Sequence, residues 1–87
     1  MLVTPMAMQA LADAETHQQE ILDRHFTCDW GDLDPDDAVA NDQAIDTGAR
    51  ILSAYNLPTG VRVWVLTEAI SSDGVRKVTT ILLPTEY

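Results

Sequence analysis

The chain opens on a helical pattern. Met6 to Ala14 is rich in Ala, Met and Leu, all strong helix formers. Thr4-Pro5 precedes it as a start signal. A threonine side chain can accept from a free amide group, and proline suits the first helical position because no N–H is needed there. A second start stands at Thr16, with Gln19 three residues on, in the manner of a capping box. Ile21, Leu22, His25 and Phe26 then recur at helical spacing and make one apolar face. The pattern fits two short helices or one bent helix. Cys28-Asp29-Trp30-Gly31-Asp32-Leu33 breaks the period and reads as a turn. Asp34-Pro35-Asp36-Asp37 starts another helix, with Asp34 as the cap and two carboxylates at the positive end of the helix dipole. Leu33 and Ala38 form a hydrophobic staple across that start. The helix is predicted to run to about Thr47 and stop at Gly48. Ala38, Asn41, Ala44 and Ile45 share its inner face, with Asp42, Gln43 and Asp46 turned away. Asn41 is thus a polar residue on an apolar face.

From Arg50 onward the period becomes two. Arg50 to Leu57 alternates, with Ile51, Ser53 and Tyr55 on one side. Leu57-Pro58-Thr59-Gly60 is a turn signal. Val61 to Ala69 is a second strand, with Val61, Val63, Val65 and Thr67 facing one way and Arg62, Trp64, Leu66 and Glu68 the other. Both sets are apolar at their centre, so the alternation does not single out the buried face. Ser71-Ser72-Asp73-Gly74 is a second turn, and Val75 to Leu83 a third strand rich in β-branched residues. Short turns join antiparallel neighbours. The expected fold is one α+β domain over 1–87. Two or three helices in the first part (about 4–47) pack on one face of a three-stranded antiparallel β-meander (about 50–87).

Composition narrows the function classes. A chain of 87 residues is one domain. It buries only roughly 60–65% of its unfolded surface, so its core is small. This length rules out a multidomain enzyme and argues against a dinucleotide fold of repeated βαβ units. There are 14 acidic and 5 basic residues, a net charge of −9. That sign argues against direct binding to nucleic acid or an anionic membrane. The charge is also uneven. Residues 1–49 hold eleven acidic residues and one basic, while residues 50–87 hold three acidic and four basic. Seven aspartates fall between Asp29 and Asp46, and no Lys or Arg lies between Arg24 and Arg50. The single cysteine, Cys28, excludes an intramolecular disulfide and suits a reducing cytoplasm. Met1 to Leu11 lacks the basic start and long apolar run of a signal peptide. The longest strongly apolar stretches are too short to span a bilayer.

The segments HFTCDWGDLDPDD, Asn41, GARILSAYNLPTG, VWVLTEA and TTILLPTEY follow one another in a specific order. In this order they resemble a family of small bacterial proteins found on plasmids, prophages and other mobile elements. Its members read H-x-x-G-D-W-G-D-L, then R-I-L-S-A-Y, then W-I-I-T-E-A-D-R, then T-T-x-L-L-P-x-E-Y. The resemblance covers roughly residues 20–87. Two departures stand out: Cys28 replaces the usual small residue, and Ile70 to Lys77 replaces the shorter D-R-S turn, leaving Arg76 in the place nearest the family arginine. The resemblance implies a mobile-element setting and supplies no chemistry.

The chemistry-bearing residues form no strong constellation. His25, Cys28 and Asp29, with His17, lack the doubled close spacing of a zinc site. A calcium loop counted from Asp32 needs Gly at its sixth position and Glu at its twelfth, where Asp37 and Gln43 stand. Cys28 and His25 pair a nucleophile with a base by type, but without a glycine-rich anion loop. His25 is expected to pack against, or cap, the end of its helix. Trp30 and Trp64 read as core anchors. Trp30, among aspartates, also has the makeup of a protein-binding hot spot, and Glu86-Tyr87 reads as either a docking tail or a cover for the sheet.

The functional expectation is therefore a non-enzymatic acidic binding protein of a mobile element, with no cofactor and no metal. Its partner is a protein with a basic, nucleic-acid-binding surface, such as a CRISPR effector or a restriction enzyme. The residues expected to carry the contact are Asp29, Trp30, Asp32, Asp34, Asp36, Asp37, Asp42 and Asp46, because a concentrated negative face attracts basic surfaces. The alternatives are an accessory subunit for the element's own replication, transfer or DNA modification, and a small-ligand or metal sensor on the turn Cys28 to Leu33.

Overall fold

The computed structural model describes residues 1–76 and 78–87; Lys77, inside the third predicted strand, lies outside them. The elements are β1 (Leu2–Val3), α1 (Pro5–Asp13), α2 (Gln18–Phe26), α3 (Pro35–Thr47), β2 (Ile51–Asn56), β3 (Arg62–Thr67) and β4 (Thr79–Leu82), followed by a 3₁₀ turn at Pro84–Glu86.

The helix starts follow local chemistry. The Thr4 hydroxyl accepts the Ala7 N–H at 3.1 Å, with Pro5 in the first turn. α1 and α2 are two separate helices, and the second is capped by His17 rather than Thr16. The His17 Nδ1 accepts the Gln19 N–H at 3.1 Å, while the Thr16 hydroxyl turns back to the Ala14 carbonyl. α3 starts at Pro35 and stops at Gly48, whose φ of 78° is the left-handed conformation that glycine adopts at least cost. Asp34 holds the cap position without a side-chain bond. Its carboxylate acts there only as a charge near the positive helix end.

The α+β class holds, but the sheet differs from the expected three-stranded antiparallel meander. It has four strands in the order β1-β4-β3-β2 and is mixed. β1 runs parallel to β4, with Leu2 opposite Thr80 and Val3 opposite Ile81, and the Thr4 N–H continues the pairing to the Ile81 carbonyl at 3.0 Å. A two-residue strand ending at Thr4-Pro5 is too short to leave an alternation. β4 is also shorter than predicted, because the chain before it forms a side hairpin closed by a bridge between Ile70 and Arg76.

Register decides which face is buried. β2 and β3 pair from Ile51 opposite Thr67 to Asn56 opposite Arg62, and Val65 also faces Ile81 of β4. Tyr55, Val63, Val65 and Ile81 therefore share one face. Ala7 and Leu11 of α1, and Ile21 and Leu22 of α2, pack against it. Val63, Val65 and Ile81 have no exposed surface. On the other face Trp64 is half-buried and meets Tyr87 edge-on at 5.7 Å, with the Arg50 guanidinium over the Tyr87 ring. α3 departs from the expected place on the helical face. It lies beside β2, where Ala44 and the partly buried Ala38 and Leu33 pack with Trp30 and Ile51. Among the described residues, no helix is long and apolar enough to cross a membrane.

Candidate functional site

The outer edge of β2 organises the acidic segment. Every second residue of that strand turns its main-chain N–H and C=O outward, and an uncovered edge invites pairing with another chain. At Ala54 the turn supplies main chain: the Ala54 N–H donates to the Trp30 carbonyl at 3.2 Å, and the Asp32 N–H to the Ala54 carbonyl at 2.7 Å. At Leu52 a side chain replaces main chain. The Asn41 Nδ2 donates to the Leu52 carbonyl at 2.7 Å, and its Oδ1 accepts the Leu52 N–H at 3.2 Å. At Asn56 the Asp32 carboxylate accepts the N–H at 2.8 Å. Asn41 is polar because it completes this edge. Gly31, with φ at 73°, comes so near that an added Cβ would lie 2.2 Å from the Ala54 oxygen.

The residues around this edge hold one another. Trp30 is buried and its Nε1–H donates to Asp42 at 3.0 Å, as a buried indole requires. Arg24 grips Asp29 through two bonds, of 2.7 and 3.2 Å, and lies 4.7 Å over the Tyr55 ring. Arg24 holds the Asp29 carboxyl below the ordinary carboxylate range, helped by the Gly31 N–H. The Tyr55 hydroxyl donates to the Asp29 carbonyl at 2.7 Å, and burial raises its pKa.

The eight residues singled out from the sequence therefore divide. Asp29, Trp30, Asp32 and Asp42 are hydrogen-bonded parts of the frame. Asp34, Asp36, Asp37 and Asp46 are exposed and, among the described residues, their side chains make no hydrogen bond or ion pair. Asp42 is exposed, as expected, but its carboxylate also accepts the Trp30 indole N–H. Ile45 is not on the inner face; it is 48% exposed. A helix lying along an edge buries a narrower stripe than one lying on a face, and here Asn41 and Ala44 fill it.

A cavity of about 290 Å³ opens between α2, α3 and the sheet. His25, Phe26, Cys28 and Trp30 form one side of it. Ile45, Ile51, Thr67 and Arg76 form the other. His25 is buried and packs, with one ring nitrogen bonded to the Ser53 hydroxyl and the other to the Thr67 hydroxyl at 2.7 Å. Thr67 continues the chain to Thr79 at 3.0 Å. Burial pushes the His25 pKa down to about 4, so the ring is neutral at pH 7, with one donor and one acceptor for its two hydroxyl partners. Arg76 donates to the carbonyls of Ala44, Ala49 and Glu68 at 2.9, 2.7 and 3.2 Å, tying the end of α3 to the side hairpin. Cys28 is exposed at φ 66°. Among the described residues, no group of three or more His, Cys, Asp or Glu side chains is placed to hold a metal ion.

Sequence reasoning missed Ser53, Thr67 and Arg76 as members of this site. A signal existed for the first two: each is a hydroxyl at an inward strand position, where a buried polar group needs a partner. Arg76 was marked only by its place nearest the family arginine, and its partners, which include main-chain carbonyls 27 and 32 residues away, were not legible. No family model, curated protein or solved structure matches the chain.

Proposed function

We propose that this is a non-enzymatic acidic binding protein that engages a basic, nucleic-acid-binding surface on a partner protein. The observation that carries the reading is the imbalance of partners. Arg24 is bonded to Asp29, Arg50 to Tyr87, Arg62 to Asn56 and the Asp32 carbonyl, and Arg76 to three carbonyls. None of these four cations meets Asp34, Asp36, Asp37 or Asp46. Four carboxylates on or next to one rigid helix then present uncompensated negative charge, which speeds and orients association with a basic surface. The mobile-element setting implied by the resemblance makes a host-defence effector, such as a CRISPR effector or restriction enzyme, the first partner class to test. An accessory role toward the element's own machinery needs the same surface and differs in partner.

The test changes Asp34, Asp36, Asp37 and Asp46 together to Asn, leaving Asp42 to hold Trp30. Phage plaquing is measured on defence-proficient cells with and without each protein. The expected result is protection of phage by the native chain and loss of it in the variant, with melting unchanged. Intact protection by the variant, or a partner affinity insensitive to salt, would sink the electrostatic reading.

A further inference from the structure

The two edges of the sheet are finished differently. Asn41 and the turn Trp30–Asp32 take up the outward main-chain groups of β2. At β1, the other edge, nothing among the described residues does so. Alternate residues of an edge strand bond to their neighbour, and those between turn away from it. The Thr4 N–H goes inward to the Ile81 carbonyl, so Leu2, of the same parity, also bonds to β4. Val3 therefore turns its N–H and C=O outward. α1 leaves them open, because its inner face of Ala7, Ala10 and Leu11 packs over Val63, Val65 and Ile81, toward the middle of the sheet. The Val3 side chain points under the helices and is partly buried, whereas Leu2, on the opposite face, is 59% exposed.

Charge selects the occupant. Residues 1–12 carry no charged side chain, the longest such run in a chain of net charge −9. Two copies repel wherever their acidic surfaces approach. The turn and α3 gather seven aspartates at the β2 edge, so two β1 edges can meet with that charge held far apart. Glu86, the carboxylate that reaches this end of the sheet, is taken up by the Thr4 hydroxyl and the Leu83 N–H. A basic strand would be drawn to the opposite edge instead. We propose that β1 pairs with β1 of a second copy of this chain, antiparallel, with Val3 opposite Val3. In that register the two valines exchange both main-chain bonds. Leu2 of each copy falls opposite Thr4 of the other, which covers its exposed side chain. Pro5 offers no N–H and α1 begins there, so the ladder ends with this pair and the association is weak.

Sedimentation equilibrium on the native chain, from about 10 μM to about 1 mM, tests this together with amide hydrogen exchange. The apparent mass is expected to rise from 9.6 kDa toward twice that value. Over the same range exchange at the Val3 amide should slow several-fold, while the Leu52 and Ala54 amides do not change. Leu2→Glu, at an exposed position, should weaken association at least about tenfold without lowering the melting temperature. Leu2→Ala, which adds no charge, should weaken it by less. Ile45→Glu, which alters exposed apolar surface elsewhere, should leave it unchanged, as should the four-Asn variant. A mass that stays at one copy through 1 mM overturns the proposal. Association that survives Leu2→Glu, leaves the Val3 amide untouched, or disappears in Ile45→Glu or the four-Asn variant places the contact elsewhere and also overturns it.

Discussion

Asp32 and Asp36 lie four residues apart and carry the same side chain, yet their situations are opposite. Asp32 belongs to the turn that clads β2, where its N–H and its carboxylate both bond to the strand. Asp36 stands in the first turn of α3 and faces water. The same contrast separates Asp42, which holds Trp30, from Asp46, which holds nothing among the described residues. Net charge cannot distinguish the two groups, since it counts an aspartate that builds the sheet edge equally with one left for a partner. The turn is a structural region that happens to be acidic, whereas on α3 only Asp42 shares that duty and the side chains of Asp36, Asp37 and Asp46 bond to nothing among the described residues.

Substitutions at the turn should break this division most visibly. Gly31→Val places a branched side chain against the Ala54 oxygen at a left-handed φ, and is expected to cost about 3–4 kcal/mol in urea unfolding. A cost below about 1 kcal/mol would mean that the turn does not clad the strand.

The buried histidine comes next. Its folded pKa of about 4 lies below the unfolded value near 6.5, so between those values the unfolded chain binds the extra proton. Stability is therefore full above about pH 6.5, falls as pH drops toward 4, and loses on the order of 2–3 kcal/mol through this group. Denaturant midpoints across that window should slope in the native chain and flatten in His25→Gln.

Asn41→Leu leaves the N–H and carbonyl of Leu52 unpaired and should cost about 2 kcal/mol, and Asn41→Asp, which sets a buried carboxylate oxygen against the Leu52 carbonyl, should cost at least as much. Asp29→Ala removes a half-exposed ion pair and one bond to Gly31, and should cost about 1 kcal/mol or less, shrinking further in high salt. Smallest of all, Asp36→Asn and Asp46→Asn should leave stability within about 0.5 kcal/mol and show only in association rate. A stability loss there comparable to that of Asn41→Leu would erase the contrast between turn and helix.

Much of the fold was legible in the residues. Thr4-Pro5, Pro35 and Gly48 marked helix ends through local chemistry, and the alternation around Val63 and Val65 marked a strand. What stayed hidden depended on contacts between distant parts of the chain. β1 has two residues and exists only because β4 offers a parallel neighbour. The position of α3 at an edge, not on a face, follows from Asn41 reaching Leu52, and the spacing of Ala38, Asn41 and Ala44 fits either arrangement. The site was half legible. Trp30 and the aspartates were visible as a cluster, but their split into bonded and unbonded members is set by the indole of Trp30 and the course of β2. His25 was visible as a packing residue; Ser53 and Thr67, which fix its ring, were not connected to it.

The cladding of β2 also limits how copies of this chain can assemble through their sheets. Head-to-tail stacking requires the β1 side of one molecule to meet the β2 side of the next, and Asn41 with Trp30–Asp32 already fills that second side. Among the described residues, the sheet pairing that this cladding still allows is β1 against β1, a two-fold arrangement that closes on two molecules instead of repeating head to tail.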